Sequence, residues 1–216
     1  MTRVPNPSAG DPSARARWTR IGLWLVGATM AYNSIEAIVG IWSGIAAGSV
    51  ALVGFGLDSV IEIIAAGALL WRLNLEAGGA SHEAIESGER RVERIVGATF
   101  LLLAVYVTAQ ACWALWTREA PAESLVGIVL AVASLVIMPL VAWGKLRAAA
   151  AIGSTALRAE ARETLACSYL SFTLLAGLLA NSIAGWGWAD SVAALLMVPW
   201  LLKEAAEGLR GEEGED

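Results

Sequence analysis

The sequence predicts an all-α membrane protein with six transmembrane helices, because of its composition and its apolar runs. Of the 216 residues, 57% are hydrophobic and only 16% are charged, and the mean hydropathy is +0.61. Soluble domains carry more charge than this. A helix needs about 20 apolar residues to cross the hydrocarbon layer, and the chain holds enough for six crossings. The composition excludes a soluble enzyme core and a nucleic-acid-binding protein.

The apolar runs define the predicted organisation of the chain. They occupy residues 21–42, 49–71, 95–117, 124–144, 164–184 and 191–202. The sixth run is the weakest, because Lys203 and Glu204 end it early. Three regions are therefore predicted: a disordered cytoplasmic leader at 1–20, a six-helix transmembrane domain at 21–205 and an acidic cytoplasmic tail at 206–216.

The basic residues are distributed unevenly between the two sides of the predicted membrane domain. Fourteen of the 15 lysines and arginines lie on one side of the spans, and only Arg118 lies on the other. Basic residues are retained in cytoplasmic loops. We therefore expect both termini in the cytoplasm and the protein in the inner (plasma) membrane of the cell.

Asp58 and Glu62 lie near the middle of the second run, where a carboxylate costs about 2.5–3.5 kcal/mol. Four residues apart, they share one face of a helix at a separation of about 6 Å. Two like charges at this distance repel strongly in a low dielectric unless a cation or a shared proton lies between them. The pair predicts a cation or proton site. The alternative is that both carboxyls are protonated and bond to neighbouring helices.

Glu163 and Cys167 repeat this four-residue spacing at the start of the fifth run. Two such pairs that face each other supply four ligands in a roughly tetrahedral arrangement. The apolar part of this run is centred near Leu174, so the second pair lies towards the cytoplasm. We expect the fifth helix to begin earlier, near Ala156, and to tilt, or a water-filled vestibule to reach the site.

Three other polar residues are candidates for an ion or proton path. Asn33 and Glu36 lie near the midpoint of the first run, and Asp190 lies just before the sixth. Glu36 also fits a protonated acid that bonds between helices. Asp190 also fits an N-cap, because its carboxylate can accept from free backbone amides at a helix start.

Gly40, Gly44 and Gly48 recur every four residues. Small residues at this spacing let helix backbones approach closely in lipid. The pattern predicts tight helix packing, either within the chain or in a homodimer formed through the transmembrane helices.

Three segments resemble motifs of the cation diffusion facilitator family. The sequence GSVALVGFGLDSVIEIIAAGALLW at residues 48–71 is similar to the family's second helix, in which a pair of acids four residues apart binds metal. ALRAEARETLACSYL resembles the fifth-helix motif, with Glu163 in place of the usual His and Cys167 in place of the usual Asp. GWGWADSVAAL resembles the start of the sixth helix. The resemblance covers residues 20–205 and implies a family-like six-helix bundle with a metal site at Asp58, Glu62, Glu163 and Cys167.

The resemblance implies a secondary active transporter, not an enzyme, that exports divalent metal cations in exchange for protons. Zinc is the first expected substrate, because a thiolate favours soft or borderline ions such as zinc and cadmium, while carboxylates also accept manganese and iron(II). The family's cytosolic C-terminal domain is expected to be absent, since few residues follow Leu202. Two other functions stay open: a proton-coupled exporter of organic cations, and a structural membrane protein that transports nothing.

Overall fold

The computed structural model describes residues 12–77 and 82–210 and folds them into six α-helices. The helices are α1 (Pro12–Ala47), α2 (Val50–Ala77), α3 (His82–Thr117), α4 (Leu125–Ile152), α5 (Thr155–Ala184) and α6 (Trp188–Arg210). Within the described residues, helices α2 to α5 each contain a segment long and apolar enough to cross a membrane. The predicted all-α membrane bundle is confirmed.

The first helix begins well before the first apolar run. Residues 12–20, which were predicted to belong to a disordered leader, form the first turns of α1. Alanine and arginine favour helix, and both recur here, so the helix extends past the apolar segment. Residues 1–11 of the predicted leader lie outside the described residues. At the other terminus, residues 206–210 belong to α6, and 211–216 are outside the description.

A two-residue turn sets the start of α5. Gly153 ends α4 in the left-handed region, with a φ of 72°, a conformation that glycine adopts without a steric penalty. The Ser154 side chain then caps α5 by accepting from the amide of Leu157 at 3.2 Å. Because of this cap, α5 begins at Thr155. The predicted early start of the fifth helix is confirmed.

Helices α1 and α2 pack backbone against backbone. A Cβ atom on Gly44 would lie 2.7 Å from the Val53 nitrogen, and one on Gly56 would lie 2.7 Å from the Ile41 nitrogen. Gly48 has a different role, because it lies between the two helices with a φ of 69°. The glycines of α1 therefore allow close packing of two helices of the same chain, and the homodimer stays a prediction.

Contacts at the two ends of the bundle reveal the alternating course of the helices. At one end, a Cβ on Gly22 of α1 would lie 2.8 Å from Leu157 Cδ2 at the start of α5. We call this the basic end, because most of the lysines and arginines lie on this side of the apolar runs. At the opposite end, the amide of Ala122, before α4, donates to the Ala47 carbonyl at 2.8 Å. Helix α2 lies centrally, in contact with α1, α3, α5 and α6.

The exterior of the bundle is apolar and its interior contains polar groups. Large apolar side chains are exposed on the outer surface, among them Trp24, Ile38, Trp42, Trp116 and Ile183. This pattern is expected for a protein whose solvent is hydrocarbon, where an apolar surface carries no penalty. The buried polar residues are therefore the informative ones.

Candidate metal centre

Helix α2 carries two acids on its inward face. Asp58 is 4% exposed, and Glu62 is half-buried. Their spacing of four residues stacks them on the same side of the helix. Val60 and Ile64, on the other side, are exposed. The periodicity of α2 thus directs apolar side chains outward and both carboxyls inward.

Helix α5 brings a thiol to these acids. Cys167 is 3% exposed, and its Sγ donates a hydrogen bond to Glu62 Oε1. One ligand atom from each of Asp58, Glu62 and Cys167 lies within 4.8 Å of the other two. We call these three residues the α2–α5 cluster. Because α5 begins at Thr155, Cys167 lies about 18 Å along that helix, which is deep enough to meet Glu62.

Glu163 does not join the α2–α5 cluster in this structure. Its side chain is exposed, whereas the neighbouring Ala161 and Thr164 are buried. Position 163 lies one turn of α5 closer to the basic end than Cys167, where the side chain is accessible to solvent. Only its backbone carbonyl engages the cluster, by accepting from Cys167 Sγ at 3.3 Å. Its role as a metal ligand stays a prediction.

Helix α1 places two buried polar side chains beside the cluster. Asn33 is 2% exposed and donates from Nδ2 to Glu62 Oε2 at 2.7 Å. Glu36 is 1% exposed, and its Oε1 accepts from the Ser134 hydroxyl of α4. That hydroxyl is 3.0 Å from the Tyr32 hydroxyl. Asn33 therefore contacts the cluster directly, whereas Glu36 ties α1 to α4.

Asp190 lies at the opposite end of the bundle from the basic end, where it caps α2. Its Oδ2 accepts from the amides of Val50 at 2.9 Å and Ala51 at 3.3 Å, and its Oδ1 accepts from the Ser49 hydroxyl at 2.5 Å. These are the free amides of a helix start. The geometry is that of an N-cap, but the capped helix is α2, whereas the sequence pattern had suggested α6. Its place on an ion path stays a prediction.

A second buried polar group, which sequence reasoning missed, joins α4 to α5. Lys145 is 0% exposed, and its Nζ lies 2.8 Å from Glu160 Oε1 and 2.9 Å from Thr164 Oγ1. We call Lys145 and Glu160 the α4–α5 ion pair. Lys145 directly follows the fourth apolar run, where the sequence predicts a cytoplasmic loop, but α4 continues to Ile152. The sequence contains one signal of this pair: Glu160, of opposite charge, follows Lys145 by 15 residues, beyond the turn formed by Gly153 and Ser154.

The chemistry of the α2–α5 cluster suits a divalent cation. Two carboxyls and a thiol bring no positive charge of their own, and all three become anionic when they lose protons. Carboxylate oxygen and thiolate sulfur are ligands of zinc and of other transition metals. A six-helix bundle with an apolar exterior and such donors inside it defines a membrane protein that handles cations.

Comparison with known families agrees with this class. The family model described as "Cation efflux transmembrane domain" matches residues 27–210. The chain therefore belongs to the cation efflux family, as its motifs had indicated. Members of this family are transporters of metal ions and not enzymes.

The chain is also similar to a protein of Synechocystis sp. (strain ATCC 27184 / PCC 6803 / Kazusa) described as an uncharacterized transporter. The two are 27% identical over 151 residues, which is 68% of this chain and 49% of the relative. The chain thus spans about half the length of the curated relative that it matches.

Proposed function

We propose that this chain exports divalent metal cations in exchange for protons and that zinc is its first substrate. One observation carries the proposal: Asp58, Glu62 and Cys167 offer ligand atoms within 4.8 Å of one another in the bundle interior. Ionisable groups inside a membrane are expensive, and they characteristically mark ion pathways. Membership of the cation efflux family supports metal transport, and the donor set supports zinc or cadmium.

Exchange for protons follows from competition for the same atoms. Carboxyl and thiol groups bind a metal ion after they lose their protons, so metal binding releases protons and metal release takes them back. The hydrogen bond from Cys167 Sγ to Glu62 Oε1 supports this, because the thiol would have to give up its proton before both residues could bind a metal ion. Rocking of helix groups around the cluster would expose it to each side in turn.

The proposed direction depends on the orientation of the chain in the membrane. The uneven distribution of lysine and arginine favours cytoplasmic termini, with the basic end of the bundle facing the cytoplasm. Cations would then enter the cluster from the cytoplasm and leave on the other side. A reporter fused to the C-terminus is expected inside the cell, and an outside position would contradict this orientation.

Metal flux into proteoliposomes tests the proposal. The purified full chain is reconstituted with a metal-sensitive dye inside the vesicles, and zinc, cadmium, manganese and iron(II) are added outside. Zinc and cadmium uptake should exceed that of empty vesicles and should rise when the lumen is more acidic than the bath, because protons then leave as metal enters.

Two variants give the assay its control. Asp58→Asn preserves size and removes one charge, so it should reduce flux to the level of empty vesicles. Glu123→Gln changes an exposed acid before α4 and should transport like the parent. Equal flux for the parent and Asp58→Asn, or parent flux at the level of empty vesicles, would show that the cluster is not a transport site.

A further inference from the structure

Asn33 has one amide atom engaged and one atom free. Its Nδ2 donates to Glu62 Oε2 at 2.7 Å, while its Oδ1 is buried without a hydrogen-bond partner in the part of the chain that the structure describes. A buried polar atom without a partner is unfavourable, because it has lost its hydrogen bonds to water and gained none in return. Such an atom in a native structure needs a reason, and this one belongs to a residue that contacts the α2–α5 cluster.

The neighbouring carboxylate fixes which amide atom is free. Asn33 turns its NH2 towards Glu62, whose Oε2 accepts from Nδ2, because the nitrogen of a side-chain amide is the atom that can donate. Oδ1 is bonded to the same amide carbon as Nδ2, so it lies near Glu62 as an oxygen atom that could bind a metal ion. The side chain therefore presents a ligand atom at the edge of the cluster.

Two contacts hold α1 in this position. A Cβ on Gly40 would lie 3.1 Å from the Cα of Gly56 in α2, so the two backbones touch. On the other side, Glu36 is bonded to the Ser134 hydroxyl of α4. Asn33 lies one turn of α1 before Glu36, so it is preorganised as a site residue needs to be.

The α2–α5 cluster supplies three ligands, whereas zinc is typically bound by four. We infer that Asn33 provides the fourth ligand through Oδ1, an assignment that rests on the proposed function. The ion is then held by α1, α2 and α5 together. Glu163, the fourth ligand suggested by sequence, is exposed outside the cluster.

The charge of the site is compatible with an asparagine as the fourth ligand. Two carboxylates and one thiolate carry three negative charges, so a divalent ion leaves the site with a net charge of −1. A neutral amide oxygen completes the coordination without adding charge, and it is a ligand that harder ions such as manganese also accept.

Binding of cobalt(II) and cadmium to the purified full chain in detergent tests the assignment. Asn33→Leu has no ligand atom and should weaken binding by at least about tenfold and change the d–d absorption bands of bound cobalt. Asn33→Asp retains a ligand oxygen and should keep tight binding. Asn181→Leu is the control, because Asn181 is a buried asparagine whose Nδ2 donates to the Pro121 carbonyl at 2.9 Å, away from the cluster.

The aspartate variant separates ligation from positioning. If Asn33 only orients Glu62 through its N–H, Asn33→Asp must bind metal as poorly as Asn33→Leu, since a carboxylate cannot donate and repels Glu62. That result overturns the inference, as does an Asn33→Leu protein with the affinity and cobalt spectrum of the parent. Both leave the proposed function standing if the parent binds metal. A parent that binds neither ion overturns both. If the leucine variant does not fold, Asn33→Asp decides alone: retained affinity supports ligation, and lost affinity contradicts it.

Discussion

Two buried polar clusters lie on the same side of α5, and only one contains its own positive charge. Glu160 of the α4–α5 ion pair and Cys167 of the α2–α5 cluster are seven residues apart, so they share a helix face at a separation of about 10 Å. Glu160 is neutralised by Lys145 at 2.8 Å. Cys167 meets two acids, and the ion pairs found among the described residues do not include either of them.

Burial of a carboxylate is therefore not what identifies a transport site in this bundle. An acid that is paired with lysine ties two helices together, and its charge is already balanced. Acids that lack such a partner must be neutralised by a proton or by a cation from outside the chain. Protons and bound cations can be exchanged during transport, whereas a lysine cannot. The ion pair should be important for stability and unimportant for metal selectivity, and the α2–α5 cluster should behave in the opposite way.

The largest expected effect on stability comes from breaking the α4–α5 ion pair. Lys145→Met leaves Glu160 buried without its partner and should destabilise the protein by about 3–5 kcal/mol. The double variant Lys145→Met/Glu160→Met removes both charges and should recover most of that loss. Thermal unfolding in detergent measures both effects.

Metal transport by the double variant completes this test. It should keep the parent's order of preference among zinc, cadmium and manganese, because the ion pair is not part of the cluster. A single variant as stable as the parent, or a double variant with a new metal preference, would mean that the two clusters are not functionally distinct.

A smaller effect is expected from changes to the thiol. Cys167→Asp should retain transport and shift preference from cadmium towards manganese by roughly tenfold, because oxygen replaces sulfur. Cys167→Ser should reduce cadmium transport most, since a hydroxyl stays protonated and binds soft ions poorly. Competitive flux assays with mixed ions measure the ratio. An unchanged cadmium preference in both variants would exclude Cys167 from the ligands.

Sequence reasoning predicted the six helices, because long apolar runs leave few alternatives in a membrane. It also predicted that Asp58, Glu62 and Cys167 belong together, and the structure brings these three side chains into one cluster. The four-residue spacing of Asp58 and Glu62 places both side chains on one face of α2. The sequence could not show that the Glu163 side chain would be exposed once α5 is packed, nor that Asn33 would reach Glu62 from another helix.

The misplaced residues share one physical cause. Lys145 and Asp190 were interpreted from their local sequence, as a loop residue and as a cap for the helix that follows. In the structure, each bonds to a different helix: Lys145 to Glu160 of α5, and Asp190 to the start of α2. Long-range hydrogen bonds of this kind leave no periodic signal along the chain.

The smallest effect is expected at Glu163. It tests whether Glu163, as the sequence suggests, or Asn33, as the geometry favours, is the fourth ligand. Glu163→Gln should change cadmium affinity by less than about threefold, well below the 10–100-fold typical of losing a residue that supports a metal site, because its side chain is exposed. If Glu163 is a ligand in another state of the transporter, this variant should instead reduce flux strongly. Parallel binding and flux measurements separate these outcomes.

The central claim, that the α2–α5 cluster binds a divalent cation, is tested most directly by metal-dependent stabilisation of the purified protein. A ligand at 100 times its dissociation constant stabilises a folded protein by about 2.7 kcal/mol, so zinc or cadmium should raise the unfolding temperature of the parent measurably. The variants Asp58→Asn and Glu62→Gln should fold and show no such rise. A parent that metal does not stabilise, or a rise of equal size in both variants, would contradict the account.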